Sequence, residues 1–205
     1  MQRVLLFWAL SLAILMGGAG IVCLSGQCVA TPLDRAGLSL ANAMRSDRLD
    51  FWAAVITWFG SLALLLPLTA LVAGILLRCG HRLEAGFVML SLLTAAILSH
   101  LAKLVLMRPR PDLFPLWTVM PADWSYPSAH AMQVTAVAVA IILVAKRPRV
   151  LGMLALAMIV LLVSLSRIYL QVHFPSDVLA GVLVSALWVM GLHALIFDRS
   201  SKHSS

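Results

Sequence analysis

Residues 83–107 read LEAGFVMLSLLTAAILSHLAKLVLM, and the chain runs straight on into Arg108-Pro109-Arg110-Pro111-Asp112. The titratable side chains of that stretch are Glu84, His100 and Lys103; the rest is apolar, small or hydroxylic. A helix needs about 20 predominantly apolar residues to cross a bilayer. Lipid offers no partner to backbone N–H and C=O groups, so a run of this kind is a helix and not a strand. The stretch is therefore predicted to span a membrane. Lys103 lies well inside it, where a bare cation is expensive and asks for a reason.

Five further runs share this character, at residues 4–24, 51–77, 128–145, 150–166 and 177–197. Composition agrees: 62% of the 205 residues are hydrophobic and 11% charged, with a mean hydropathy of +1.00. A soluble domain carries about 25% charged residues, and a disordered chain is poorer still in apolar ones. The expected fold is all-α: a polytopic membrane protein of six transmembrane helices with a core helical bundle, in a single domain over residues 1–205. The first run also fits a secretory signal peptide with Arg3 as its basic end, but no small-x-small cleavage site is convincing near its end and five spans follow. Residues 31–50 are too polar to span. Leu33, Leu38, Leu40, Ala41 and Met44 could line one face of a short interfacial helix, or of a connecting helix packed on the bundle.

The net charge of +7 is distributed unevenly. Arg3, Arg78, Arg82, Lys146, Arg147, Arg149, Arg199 and Lys202 share one side with Glu84 and Asp198, leaving +6 there. Arg35, Arg45, Arg48, Lys103, Arg108, Arg110 and Arg167 share the other with six aspartates, leaving +1. Basic loops stay in the cytoplasm, so both termini are expected inside and the loops around 25–50, 108–127 and 167–176 outside. Orientation accounts for the basic character, and no nucleic-acid partner is needed to explain it. The three cysteines make neither a disulfide framework nor a zinc site. On a continuous helix Cys23 and Cys28 would face apart, and a bridge between them requires the helix to end near Ser25-Gly26.

Three polar clusters fall on the outer side. In the first, Arg110 follows Lys103 by seven residues, which returns to nearly the same helical face if the helix persists that far. Snorkelling to headgroups is the plain alternative for Lys103 and Arg108. The second is Pro127-Ser128-Ala129-His130, where proline and small residues open a helix whose free N–H groups attract anions; a capped helix start with an incidental histidine reads equally well. The third is Ser166-Arg167 with His173 and Asp177. Asp177 either caps the last helix or accepts a hydrogen bond from His173, leaving the other ring nitrogen nucleophilic. Three cations, a helix N-terminus, two histidines and a carboxylate at one membrane face suit phosphoryl transfer.

These residues resemble, in order, the three-part signature of the type 2 phosphatidic acid phosphatase superfamily. K-x6-R-P is found at 103–111, P-S-G-H at 127–130 with Ala129 in the glycine position, and S-R-x5-H-x3-D at 166–177. The spacing leaves Arg108 a supporting role at most. The resemblance implies that His173 attacks phosphorus, that Asp177 holds its tautomer and that His130 serves as acid and then base. Lys103, Arg110, Ser128, Arg167 and the Ala129 N–H would hold the phosphate oxygens, without a metal or other cofactor. The related vanadium haloperoxidases use a similar pocket but are soluble, unlike this composition. The implied protein is a bacterial inner-membrane lipid phosphatase with its site facing the periplasm. Its partners would be the bilayer and a lipid phosphate such as undecaprenyl diphosphate, phosphatidylglycerophosphate or phosphatidic acid. Transfer of the phosphoryl group to another lipid, such as lipid A, is the rival enzymatic reading; a lipid or ion transporter with a binding-only pocket is the rival of another class. His100, one turn before Lys103, could border the site, with a packed helix-interface histidine the expected reading; Trp117 and Trp124 are expected in an interfacial belt and could form a lip for lipid entry.

Overall fold

A computed structural model describes residues 1–24, 27–116, 118–145 and 149–200. Ser25, Gly26, Trp117, Lys146, Arg147, Lys202 and His203 lie outside the described residues. The helices are α1 Gln2–Val22, α2 Pro32–Ala43, α3 Asp47–Thr57, α4 Leu62–Arg78, α5 Arg82–Leu106, α6 Ala129–Val144, α7 Val150–Tyr169 and α8 Pro175–Ser200. A 3-10 turn, Trp58–Gly60, joins α3 to α4. Two short strands, β1 Cys23–Leu24 and β2 Gln27–Cys28, pair antiparallel behind α1.

This is an all-α, multi-pass membrane protein. Among the described residues, four helices are long and apolar enough to cross a bilayer: α1, α5, α7 and residues Pro175–Asp198 of α8. Asp47–Gly60 with Leu62–Arg78, a pair bent by 48°, is apolar enough to be a fifth candidate, as a broken span or a re-entrant loop. The run predicted as one span over 51–77 is thus broken, a departure with a local cause. A Cβ on Gly60 would lie 2.6 Å from Val163 Cγ1 and 3.0 Å from the Cβ of His130, so only glycine permits this approach. Ser61 then restarts the helix by accepting from the Leu64 N–H at 3.3 Å.

α6 occupies the centre, packed by α4, α5, α7 and α8. At 16 residues it is shorter than α1, α4, α5, α7 and α8, and it is buried nearly all round, from Ala131 to Ala140. Such a helix has no polar face to show, and small residues let its neighbours come close. Gly181 of α8 lies against the Ser128 carbonyl, where a Cβ would approach to 2.9 Å. Hydroxyls stitch the bundle: Ser11 donates to the Val184 carbonyl at 3.0 Å and Ser185 to the Met132 carbonyl at 2.7 Å.

Two other expectations change. α1 ends at Val22, so Cys23 and Cys28 meet across the strand pair and form a disulfide. The short helix predicted between 31 and 50 exists as α2, but its apolar residues divide between two faces. Leu38 and Ala41 are buried with Asp34 against the bundle, whereas Leu33, Leu40 and Met44 are exposed. At 100° per residue the centres of these two sets lie about a third of a turn apart.

Candidate active site

α5 ends one residue before Met107, whose left-handed backbone (φ 45°) turns the chain away. Lys103 and Arg110 therefore do not share a helical face; they meet through the loop. Lys103 Nζ donates to Asp123 Oδ2 at 2.6 Å and to the Trp124 carbonyl at 2.6 Å. Arg110 Nη2 donates to Asp123 Oδ1 at 2.5 Å, and its Nε to the Asp123 carbonyl at 2.8 Å. Burial alone would raise the Asp123 carboxyl, but the hydrogen bonds and charges of Lys103 and Arg110 outweigh it and hold the group below its ordinary range. Sequence reasoning missed Asp123 as part of the site, because it sits in an irregular loop with no periodicity to mark it.

His173 lies in the turn between α7 and α8, 1% exposed. Its Nε2 faces Arg110 Nη1 at 3.2 Å. A guanidinium has only donors, so this contact wants the lone pair on Nε2 and the proton on Nδ1. Nδ1 in turn faces Asp177 Oδ2 at 3.5 Å and Ser125 Oγ at 3.4 Å. Burial first, then the charges of Arg110, Arg167, Lys103 and His130, push the His173 pKa well below its ordinary value. The imidazole is accordingly neutral at physiological pH.

Asp177 is fully buried at the start of α8. It accepts from Ser125 Oγ at 2.5 Å, from the Phe174 N–H at 2.9 Å at the start of α8, and from Arg108 Nη1 at 2.5 Å. Of the two readings of Asp177, the contact at the helix start is a hydrogen bond, while His173 Nδ1 stands at 3.5 Å. Arg108 is 1% exposed and also donates through Nη2 to Asp34 at 2.8 Å and to the Val29 carbonyl at 3.0 Å, with its guanidinium 4.0 Å over the Phe174 ring. Asp34 also accepts from the Thr31 N–H within a capping box and from the Ser176 N–H at 2.9 Å. Burial opposes its charge, and the bonds from Ser176, Arg108 and Thr31 win, so its pKa is lowered. The T-x-x-D pattern at Thr31–Asp34 was a readable cap; its partnership with Arg108 was not.

Arg167 is buried near the end of α7, with Nη1 donating to Thr57 Oγ1 at 2.7 Å. Its Nε and the buried Ser128 Oγ have no hydrogen-bond partner among the described residues. Ser128 stands at the N-cap of α6 without capping it, while its N–H donates to the Asp177 carbonyl at 3.1 Å. An uncapped helix start, buried unspent donors and clustered cations are the features to which an anion is drawn. Ala129 lines a cavity of about 460 Å³ with Lys103, Asp123, His100, Leu62 and Ile97. His100 is exposed there, not packed at an interface as expected. His130, on the first turn of α6, is half-buried beside Gly60.

A protein whose helix bundle carries these histidines and cations has known relatives. The PAP2 superfamily pattern matches residues 84–201. The chain is 31% identical to phosphatidylglycerophosphatase B of Bacillus subtilis over 156 residues, 72% of this chain and 75% of that one. It is 37% identical to an undecaprenyl-diphosphatase of Sulfolobus acidocaldarius over 111 residues. That match spans about half the length of each protein, 52% of both. The crystal structure of a transmembrane PAP2-type phosphatidylglycerolphosphate phosphatase from Bacillus subtilis superposes with a TM-score of 0.78 at 26% identity, covering 98% of each chain. The chain belongs to the PAP2 superfamily, in its membrane lipid phosphatase branch.

Proposed function

We propose that this protein hydrolyses the terminal phosphate of a membrane lipid through a phosphohistidine, without a metal. The observation that carries the reading is His173, neutral and buried, with Nδ1 toward Asp177 and Nε2 toward Arg110. Nε2 attacks phosphorus in line, the bond to the lipid oxygen breaks, and His130 passes a proton to that oxygen. The charge of a bound phosphate favours the imidazolium at His130. Water then attacks the phosphohistidine, His130 takes its proton, and inorganic phosphate leaves with Nε2 restored. Lys103, Arg110, Arg167, Ser128 and the Ala129 N–H hold the equatorial oxygens, where charge develops. Asp177 keeps the Nδ1–H tautomer.

The mostly apolar cavity beside Lys103 and Asp123, with Leu62, Leu93 and Ile97 in its wall, supports a lipid substrate over a water-soluble phosphate ester. The relatives act, by their names, on undecaprenyl diphosphate and phosphatidylglycerophosphate, and substrates of that type or phosphatidic acid are the candidates here. We read the chain as one domain with six passes, counting the bent α3–α4 pair and the short α6 as one each. The bacterial inner membrane is the inferred location, with both termini inside. The basic inner loops favour that orientation. So does the Cys23–Cys28 disulfide, which suits an oxidising compartment on the side of the site.

The test is release of inorganic phosphate from undecaprenyl diphosphate and phosphatidylglycerophosphate by detergent-purified protein. His173→Ala is expected to abolish it, and undiminished turnover would sink the mechanism. Mass spectrometry of the lipid products separates hydrolysis from transfer to a lipid acceptor. Substrate flux across vesicles that persists in His173→Ala would instead mark a transporter.

A further inference from the structure

We infer that Asp123 competes with the substrate phosphate for Lys103 and Arg110, and by doing so keeps singly charged phosphodiester headgroups out of the site. This builds on the phosphatase reading above. The Asp123 carboxylate lays one oxygen on each cation, Oδ2 on Lys103 Nζ and Oδ1 on Arg110 Nη2. Two phosphate oxygens bridging the same cations would make the same bonds. The Asp123 side chain is 47% exposed while those of Lys103 and Arg110 are 3% and 7% exposed, so the carboxylate stands between the cations and the outside.

Counting donors makes the competition concrete. Of the three Lys103 N–H groups, one goes to Asp123 and one to the Trp124 carbonyl. Arg110 spends Nε on the Asp123 carbonyl and Nη1 on the Val172 carbonyl and His173. Nη2 is the donor group an incoming oxygen can take over most directly, and Asp123 holds it. An anion arriving at His173 must therefore displace Asp123 or share its cations.

Displacement subtracts the same free energy from the binding of every anion. A phosphate monoester or terminal diphosphate brings a second negative charge to offset that loss, and Arg167 supplies a further cation that Asp123 does not occupy. A phosphodiester brings one charge and replaces a carboxylate with its equal. At a bilayer surface, phosphodiester headgroups press on the site at high local concentration, so a constant penalty decides whether they fill it. If Asp123 merely braced the two cations, removing its charge would weaken phosphate binding; competition requires the opposite.

The experiment titrates inorganic phosphate into detergent-purified His173→Ala protein, followed by calorimetry, with and without Asp123→Asn. The charge-neutral variant is expected to bind phosphate on the order of tenfold more tightly, while Asp123→Glu, which keeps the charge, stays at the parental affinity. In proteins retaining His173, Asp123→Asn should show a lower KM in detergent and a KM that climbs as phosphatidylglycerol is added to vesicles. Phosphate affinity that is unchanged or weaker in Asp123→Asn overturns the inference, as does equal tightening by Asn and Glu. Those results leave the phosphatase reading standing wherever the intact protein still releases phosphate. If the intact protein releases none and no variant binds phosphate, both fall.

Discussion

Arg108 is the cation shared by two buried carboxylates next to the site. Its guanidinium reaches Asp177 through Nη1 and Asp34 through Nη2, and both carboxylates are fully buried. Removing one partner from such a group leaves uncompensated charge in a low-dielectric interior, which costs about 3–5 kcal/mol. Arg108→Ala is accordingly expected to lower stability by that order in thermal unfolding of the detergent-solubilised protein. Arg108→Lys should recover only part of it, because one ammonium cannot offer a planar fork to two carboxylates. Motif spacing singled out Arg110 and set Arg108 aside. Nothing local could have corrected that, since Asp34 and Asp177 lie 74 and 69 residues from Arg108 along the chain. Lys103, Arg110, His130, Arg167, His173 and Asp177 were legible because each carries its chemistry in its own side chain within a short motif. Asp123 and Ser125 were not, because an irregular loop has no period to reveal where its side chains point.

Among the elements, the break between α3 and α4 matters most to the site. It lets Gly60 press against His130 and Val163. A methyl group at position 60 would meet Val163 Cγ1 at 2.6 Å and the His130 Cβ at 3.0 Å, so something must move. Gly60→Ala is expected to cost about 1–3 kcal/mol of stability, the usual range for overpacking. It should lower kcat more than it raises KM, because His130 is displaced while Lys103 and Arg110 keep their places. Steady-state kinetics beside a thermal unfolding curve separates the two effects; unaltered kcat would show that the break does not position His130. A hydropathy pattern reads apolar content and cannot see such a break, since Trp58-Phe59-Gly60-Ser61-Leu62 is as hydrophobic as a continuous span requires. The end of α5 was legible, because the apolar run gives way after Met107 to Arg108-Pro109-Arg110-Pro111; the left-handed turn at Met107 that redirects the chain was not.

For the molecule as a whole, the proposed orientation is tested by its cysteines. Cys79 is free and exposed at the end of α4, on the side where basic loops accumulate. Cys23 and Cys28 are bonded near the opposite ends of the helices, beside the site. In intact cells a membrane-impermeant maleimide should leave Cys79 unlabelled until the membrane is opened. After mild external reduction, the same reagent should label Cys23 and Cys28 without permeabilisation. Labelling of Cys79 from outside would reverse the inferred orientation and put the site in the cytoplasm. The amino-acid sequence alone determined that the chain lives in a membrane, roughly where its helices run and which residue types could handle phosphate. Those properties follow from apolar content and short-range spacing, both written along the chain. Only the tertiary structure decided the bend at Gly60, the division of α2 into two faces, and which carboxylate answers which cation. A buried charge is stabilised by whatever lies within a few ångströms of it, and in a helical bundle those neighbours come from distant parts of the sequence.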